Sequence, residues 1–415
     1  LRVPEHAERK SGSDFRRKIM LKCWKKSLAF AVVLGWAGGA ALAQAPVPTV
    51  AAGSGSSSAA QGSGSPAPAV AGGCCAAAPA SSCSGSIIFE SCCEESRPWG
   101  FEAGGELHVL RPVITNNAGL ITFETPVLAT NTSVQNFNYD FHLSPSVWLG
   151  YTTECGLGFR ATWFRFYESA NPLGVTIQPN TGTGATSPSN FLSGDVTGGG
   201  GPATYTATSN LFIENWDFDI TQSFKVCHLN ITAGAGIRWS HIDQGYGATR
   251  TRSGGPEFAF ESLYTENDAN SFRGVGPTLL LEAHRPIGCG AFSLYANSRI
   301  GLLFGDRQES STQFHSFTSG VASDLDTTTT SSDSDQLIGF FEIEAGAEWA
   351  KQCGRFQPFV RVGFEGRGYF GTGNAQSGAV FGTGTEIGST PGIPSLGHTS
   401  DIGLYGFTFS AGVKF

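Results

Sequence analysis

The twelve residues Leu404–Phe415 constrain the fold of this chain more than any other stretch. From Tyr405 onward every second position is apolar: Tyr405, Phe407, Phe409, Ala411, Val413 and Phe415. Gly406, Thr408, Ser410, Gly412 and Lys414 lie between them. Successive side chains of a strand point to opposite faces, so a period of two predicts a strand with one apolar and one polar face. A soluble sandwich and a membrane barrel both use such strands, and the rest of the chain has to decide between them.

The same alternation recurs upstream from residue 99. Phe101, Ala103, Leu107 and Val109 oppose Glu102, Glu106 and His108, and Phe137–Leu149 alternates with Asp140, His142, Ser144 and Ser146. Further segments run near 157–163, 216–221, 229–239, 275–283, 292–304, 341–349 and 357–365, which makes ten with the last. Short polar breaks near 152–156, 225–227, 285–290 and 350–355 alternate with long ones near 112–136, 168–210, 241–271, 306–336 and 371–402. Short turns on one side and long loops on the other are the asymmetry of an outer-membrane barrel. Trp99, Tyr151, Trp163, Trp239, Trp349 and Tyr405 fall near strand ends, where interfacial aromatics sit. The expected fold is all-β: an antiparallel up-and-down transmembrane β-barrel of about ten strands, with both barrel ends on the short-turn, periplasmic side. Twelve strands is the alternative if a pair hides in 113–135 or 200–210. The strand-like segment Glu257–Glu266 is assigned to an extended hairpin within a loop.

The segments before the barrel have other characters. Met20, Lys22, Lys25 and Lys26 precede the apolar run Ser27–Ala37, and Ala41-Leu42-Ala43 follows. A basic start, a short apolar core and a small-x-small exit predict a signal peptide over 20–43, with residues 1–19 as a mis-assigned extension. Residues 44–98 are rich in Ala, Gly, Ser and Pro and are expected to form a disordered periplasmic linker. The barrel domain is 99–415. After residue 43 the chain holds 17 basic and 31 acidic residues, a balance that excludes nucleic acid as a partner.

By this point the residues Val147-Trp148-Leu149-Gly150-Tyr151, Ala161-Thr162-Trp163-Phe164-Arg165, Gly274-Val275-Gly276-Pro277, Ser293-Leu294-Tyr295-Ala296-Asn297 and the ending Leu404–Phe415 are in place. Together they resemble the Legionella-type major outer-membrane protein family, in a planctomycete-like form. The resemblance implies a pore-forming outer-membrane barrel over roughly 99–415 and supplies no catalytic or ligand residues to carry over.

Parity assigns the bore-facing residues. They are the acids Glu102, Glu106, Asp140, Asp217, Asp219, Glu282, Glu342, Glu344, Glu348 and Glu365, the bases Arg160, Arg238, Arg299, Arg361, Arg367 and Lys414, and the histidines His108 and His142. A water-filled bore with this acidic excess would favour cations; a ten-strand barrel is narrow enough for the same charges to pair and fill it. The expected function is passive, weakly cation-preferring diffusion of small hydrophilic solutes. The alternative is a structural or adhesion barrel that anchors surface loops and a disulfide-linked arm. His142 with Asp140, and His108 with Glu106, have the spacing of a base and its orienting carboxylate, but no Gly-x-Ser-x-Gly elbow accompanies them. No catalytic residue, metal site or cofactor is assigned, and Asp324, Asp326, Asp333 and Asp335 lack an EF-hand spacing. Cys74, Cys75, Cys83, Cys92 and Cys93 of the linker and Cys155, Cys227, Cys289 and Cys353 of the short turns are expected on the periplasmic side, where thiols can form disulfides with one another or with an envelope partner. The expected partners are outer-membrane lipid and the barrel-assembly machinery, the latter reading the C-terminal strand and Phe415.

Overall fold

The computed structural model describes residues 100–124, 131–179, 183–187, 200–226, 229–254, 260–288, 291–319, 322–375 and 400–415. Among the described residues there are fourteen strands: β1 (Gly100–Ile114), β2 (Ala118–Glu124), β3 (Asn131–Asn136), β4 (His142–Thr152), β5 (Leu157–Ser169), β6 (Leu173–Ile177), β7 (Thr183–Thr186), β8 (Gly200–Val226), β9 (Leu229–Gly254), β10 (Phe260–Pro286), β11 (Phe292–Ser319), β12 (Ala322–Ala350), β13 (Gln357–Phe370) and β14 (Ile402–Lys414). Ten of them close a ring in the order β5-β4-β1-β14-β13-β12-β11-β10-β9-β8, and β5 pairs with β8 to complete it. Every pair in the ring is antiparallel. Closure leaves no backbone edge within the wall, the condition that a strand structure must meet in hydrocarbon.

The outer face is apolar around the ring. Leu149, Phe159, Phe218, Ile237, Leu281, Leu294, Phe341, Val362, Phe364, Phe407 and Phe409 are all exposed. An apolar belt of this extent has no place in water. Trp163, Trp216 and Trp239 stand side by side on β5, β8 and β9 at its upper margin. Tyr151, Trp349 and Phe415 mark the lower one, where the Phe415 amide donates to the Phe101 carbonyl across the seam.

Above the belt the wall is uneven. Strands β8 to β12 run 26–29 residues, against about 9–11 needed to cross a bilayer at a tilt. They rise as a tower, with β6 paired to Ala203–Ala207 of β8. The segments 241–271 and 306–336, expected as long loops, are therefore ladder-paired strand for most of their length. Alternation of polar side chains had concealed them, because neither face of a strand in water needs to be apolar. Segment 200–210 belongs to β8, and β2 with β3 and β7 forms a separate three-stranded sheet, so the twelve-strand alternative does not arise.

One sequence reading is corrected at 137–141. The strand begins at His142, and Phe137 and Tyr139 are buried instead of facing lipid. Tyr139 shares a 2.8 Å hydrogen bond with Ser209, and the Phe137 ring meets the edge of Tyr246. Asp140 is consequently exposed and accepts a hydrogen bond from Asn171, outside the bore.

Two predictions follow from this architecture. A Cβ at Gly406 would lie 1.9 Å from the Val109 carbonyl oxygen at the β14–β1 seam. Gly406→Val should block closure, read as loss of the heat-modifiable mobility shift in SDS electrophoresis. In the tower, burial and the adjacent Glu266 push the Asp268 carboxyl up to about 8. Its folded value lies above its unfolded one, so its stabilisation is complete below about pH 4 and is lost as pH rises towards 8. The thermal midpoint should fall across that window, and Asp268→Asn should flatten the profile.

Candidate functional site

The bore has two layers with different chemistry. In the lower layer, inward positions of the ring carry charge. Arg238 donates Nε and Nη2 to the two oxygens of Asp217 at 2.7 and 2.8 Å, and Nη1 and Nη2 to Glu342 at 2.6 and 2.9 Å. Arg299 forks onto Asp219 at 2.9 and 2.8 Å and lies 3.1 Å from Asp217. Arg160 pairs with Glu282 at 2.6 Å and Arg361 with Glu348 at 2.6 Å. Arg367 pairs with Glu365, which also holds His108 Nδ1 at 2.6 Å, while Glu106 lies 3.6 Å from the other His108 nitrogen. Lys414 reaches Glu102 at 3.5 Å. Among the described residues Glu344 has no cation partner; it accepts from Tyr295 at 2.5 Å, Thr408 at 3.0 Å and Asn297 at 3.2 Å.

Nine of the ten acids and the six bases therefore gather in clusters along the bore, with Asp140 the exception. Every base has a carboxylate partner, the acids are in excess, and the side chains leave a cavity of about 120 Å³, bordered by Glu106, Arg160, Glu282, Arg299, Glu344 and their neighbours. That is room for a few waters, which polar cavities of this kind retain. Trp148, Tyr295 and Asn297, which parity puts on the polar face without charge, and His284 also fill the space. Trp148 stacks on Phe359 at 6.3 Å across the lower bore, and His284 lies 3.8 Å from Glu348.

The upper layer is apolar. Register carries a row of buried side chains from Phe166 to Ile213, Ile242 and Phe272. Leu303 faces Ile338, and a second row runs from Phe340 through Tyr369 and Ile402 to Ile114. Phe166, Ile213 and Leu303 are 0 % exposed, and Phe340 is 3 % exposed. Cation–π contacts join the layers: the Arg367 guanidinium lies 3.7 Å from the Phe164 ring centre and that of Arg238 lies 4.2 Å from Phe340. Over this layer, Gln244 and Asn270 donate to the Gly373 and Thr372 carbonyls, folding 371–375 across the mouth. Asn374 then donates to the Asn116 carbonyl.

The two histidine–carboxylate spacings resolve differently. His142 pairs with Glu168 at 2.5 Å, on the neighbouring strand and away from Asp140. His108 sits between Glu106 and Glu365 inside the ionic layer. Cys155 and Cys353 occupy the β4–β5 and β12–β13 turns. Cys74, Cys75, Cys83, Cys92, Cys93, Cys227 and Cys289 lie outside the described residues, as does Trp99. No cluster of three metal-ligating side chains occurs among the described residues.

Arg238 is the hub of the ionic layer, and its removal would strand two buried carboxylates. Arg238→Met should destabilise the barrel by about 3–5 kcal/mol, the usual result of breaking a buried pair from one side. Urea unfolding in lipid vesicles measures this. Replacing Arg238, Asp217 and Glu342 together with apolar residues should recover most of the loss.

Residues 92–415 match the model of the Legionella pneumophila major outer membrane protein precursor family. Among solved structures, the outer membrane protease OmpT of Escherichia coli aligns at 9 % identity and a TM-score of 0.34, over 77 % of this chain and 97 % of that one. The toluene transporter TodX of Pseudomonas putida aligns at 7 % identity and a TM-score of 0.27, over 77 % and 90 %. No curated protein matches the chain. With its main body matched by the family model and its strands closed into a lipid-facing ring, the chain belongs to the Legionella major outer membrane protein family and is an outer-membrane β-barrel protein.

Proposed function

We propose that this protein is a sealed structural barrel of the outer membrane that anchors an extracellular tower. The observation that carries the reading is the buried apolar layer across the upper bore, with Phe166, Ile213, Leu303 and Ile338 each 0 % exposed. Ions cannot cross a dry apolar layer without losing hydration, which costs far more than thermal energy. The arginines below it supply no free cation for a passing anion, since each fork already has its carboxylate.

A second reading is passive diffusion of ions and small hydrophilic solutes with a weak cation preference. It is favoured by the acidic excess around the 120 Å³ cavity, where Glu344 lacks a cation. It requires the apolar layer to open. The exported cysteines fit either reading: thiols of the arm and of the short turns would pass two protons and two electrons per bond to a periplasmic disulfide oxidant. Non-reducing electrophoresis that shows no reductant-dependent shift would remove that part of the proposal. Assembly through the C-terminal strand and Phe415 remains part of it as well.

Planar bilayers separate the two readings. The purified protein should give no stepwise conductance. The double variant Phe166→Ser, Phe340→Ser should give steps that favour cations, because hydroxyls would wet the layer above an acidic cavity. Ohmic steps from the unmodified protein would overturn the sealed reading in favour of the pore.

A further inference from the structure

A charged row encircles half of the outer wall just above the aromatic margin. Register aligns Arg165, Glu214, His241, Arg273, Asp306 and Asp335 across β5, β8, β9, β10, β11 and β12. Each lies two residues above an outward apolar residue of its strand, Trp163, Trp216, Trp239, Val275, Phe304 and Leu337, and on β5 and β8 Tyr167 and Phe212 flank the row from the other side. Their neighbours Phe164, Ile213, Ile242 and Phe272 are buried in the bore, so the row points outward. Aromatic belts sit at the level of lipid headgroups. The row therefore stands where phosphates of the outer leaflet lie.

Its cations are not neutralised by its acids. The Glu214 carboxylate accepts the Trp163 indole N–H at 2.8 Å. Asp243 lies 2.9 Å from His241 Nε2, and Arg273 Nε lies 3.4 Å from that same nitrogen. Arg165 rests over the Phe212 ring at 5.2 Å. Among the described residues no carboxylate comes within ion-pair distance of Arg165 or Arg273, although Glu214 and Asp306 face them across the ladder. This contrasts with the bore, where Arg160, Arg238, Arg299, Arg361 and Arg367 are all paired. An arginine left unpaired at an interface, on a surface that faces lipid, has one abundant anion within reach.

We propose that Arg165 and Arg273, with His241 between them, form a docking surface for the phosphate groups of outer-leaflet lipid. The two guanidiniums stand three interstrand spacings apart, roughly 14 Å, so they grip separate phosphates. Each presents a planar fork suited to a phosphate's oxygens. The acids Asp306 and Asp335 end the row on the other side, so the grip is confined to the β5–β10 arc. The surface lies outside the bore and holds whether the barrel is sealed or conducting.

Native mass spectrometry of protein taken from nanodiscs of mixed phosphatidylcholine and phosphatidylglycerol tests this. Wild type should retain phosphatidylglycerol selectively. Arg165→Gln, Arg273→Gln should weaken retention at the tightest site by roughly 25-fold, at about fivefold for each basic residue near a charged surface. Arg165→Lys, Arg273→Lys should keep most of it, and a normal heat-modifiable shift would certify that each variant is folded. Removing Arg285 and Arg355 at the opposite rim should leave that site intact. Equal retention by wild type and the double glutamine variant, or loss of the site on removing Arg285 and Arg355, would overturn the proposal. Equivalent protection by millimolar inorganic phosphate would assign the site to a free anion and overturn the lipid assignment.

Discussion

A strand in hydrocarbon must give every backbone amide and carbonyl a partner, and only a closed ladder does so for a sheet. That condition governs this molecule. The β5–β8 and β1–β14 pairings complete the wall, and the second depends on one close approach. Val109 reaches so near to Gly406 that only a residue without a side chain fits. Once the ring is closed, alternation sorts everything else. Odd and even positions along each strand are committed to lipid or to the bore, and a slip of one residue would exchange them.

Much of the ring was legible in the sequence because lipid demands apolar residues at every second position. Phe407, Phe409, Phe341, Ile343, Leu281 and Phe159 carry that demand without ambiguity, and all are exposed as parity requires. The signal fades where the demand ceases. Above the membrane, β11 and β12 continue as Ser310-Ser311-Thr312 against Thr329-Thr330-Ser331, and pairing there is held by backbone bonds and hydroxyls alone. Such a segment reads as loop because neither face is selected for hydrophobicity. Phe137 and Tyr139 misled in the opposite sense: their spacing is that of a strand, yet they turn into a core that only the folded tower creates.

The bore was half legible. The period of two assigns charges such as Asp217 and Glu342 to one face of their strands, and it misplaces Asp140, which is exposed outside the bore. It does not give their pairing, because partners such as Arg238 and Glu342 are 104 residues apart and meet across the barrel. The apolar layer was hidden for a related reason. Phe166, Ile213, Ile242, Leu303 and Tyr369 occupy bore-facing positions, where the lower halves of the same strands are polar. A strand whose inner face changes from charged to apolar partway along looks, in one dimension, like a strand losing its pattern. Arginine joins the two regimes, since its guanidinium binds carboxylates at its edge and aromatic rings at its face. Arg238 and Arg367 do both at once.

The uneven wall leaves a margin on β12. Above Gly339, β12 has β11 alone as a ladder neighbour among the described residues. Bare sheet margins recruit strands from other copies unless something forbids it. Asp324, Asp326, Asp333 and Asp335 are exposed along this one. Two such margins brought together would place eight negative charges along a shared ladder. Like charge along such a ladder disfavours pairing between copies, and the effect weakens in strong salt.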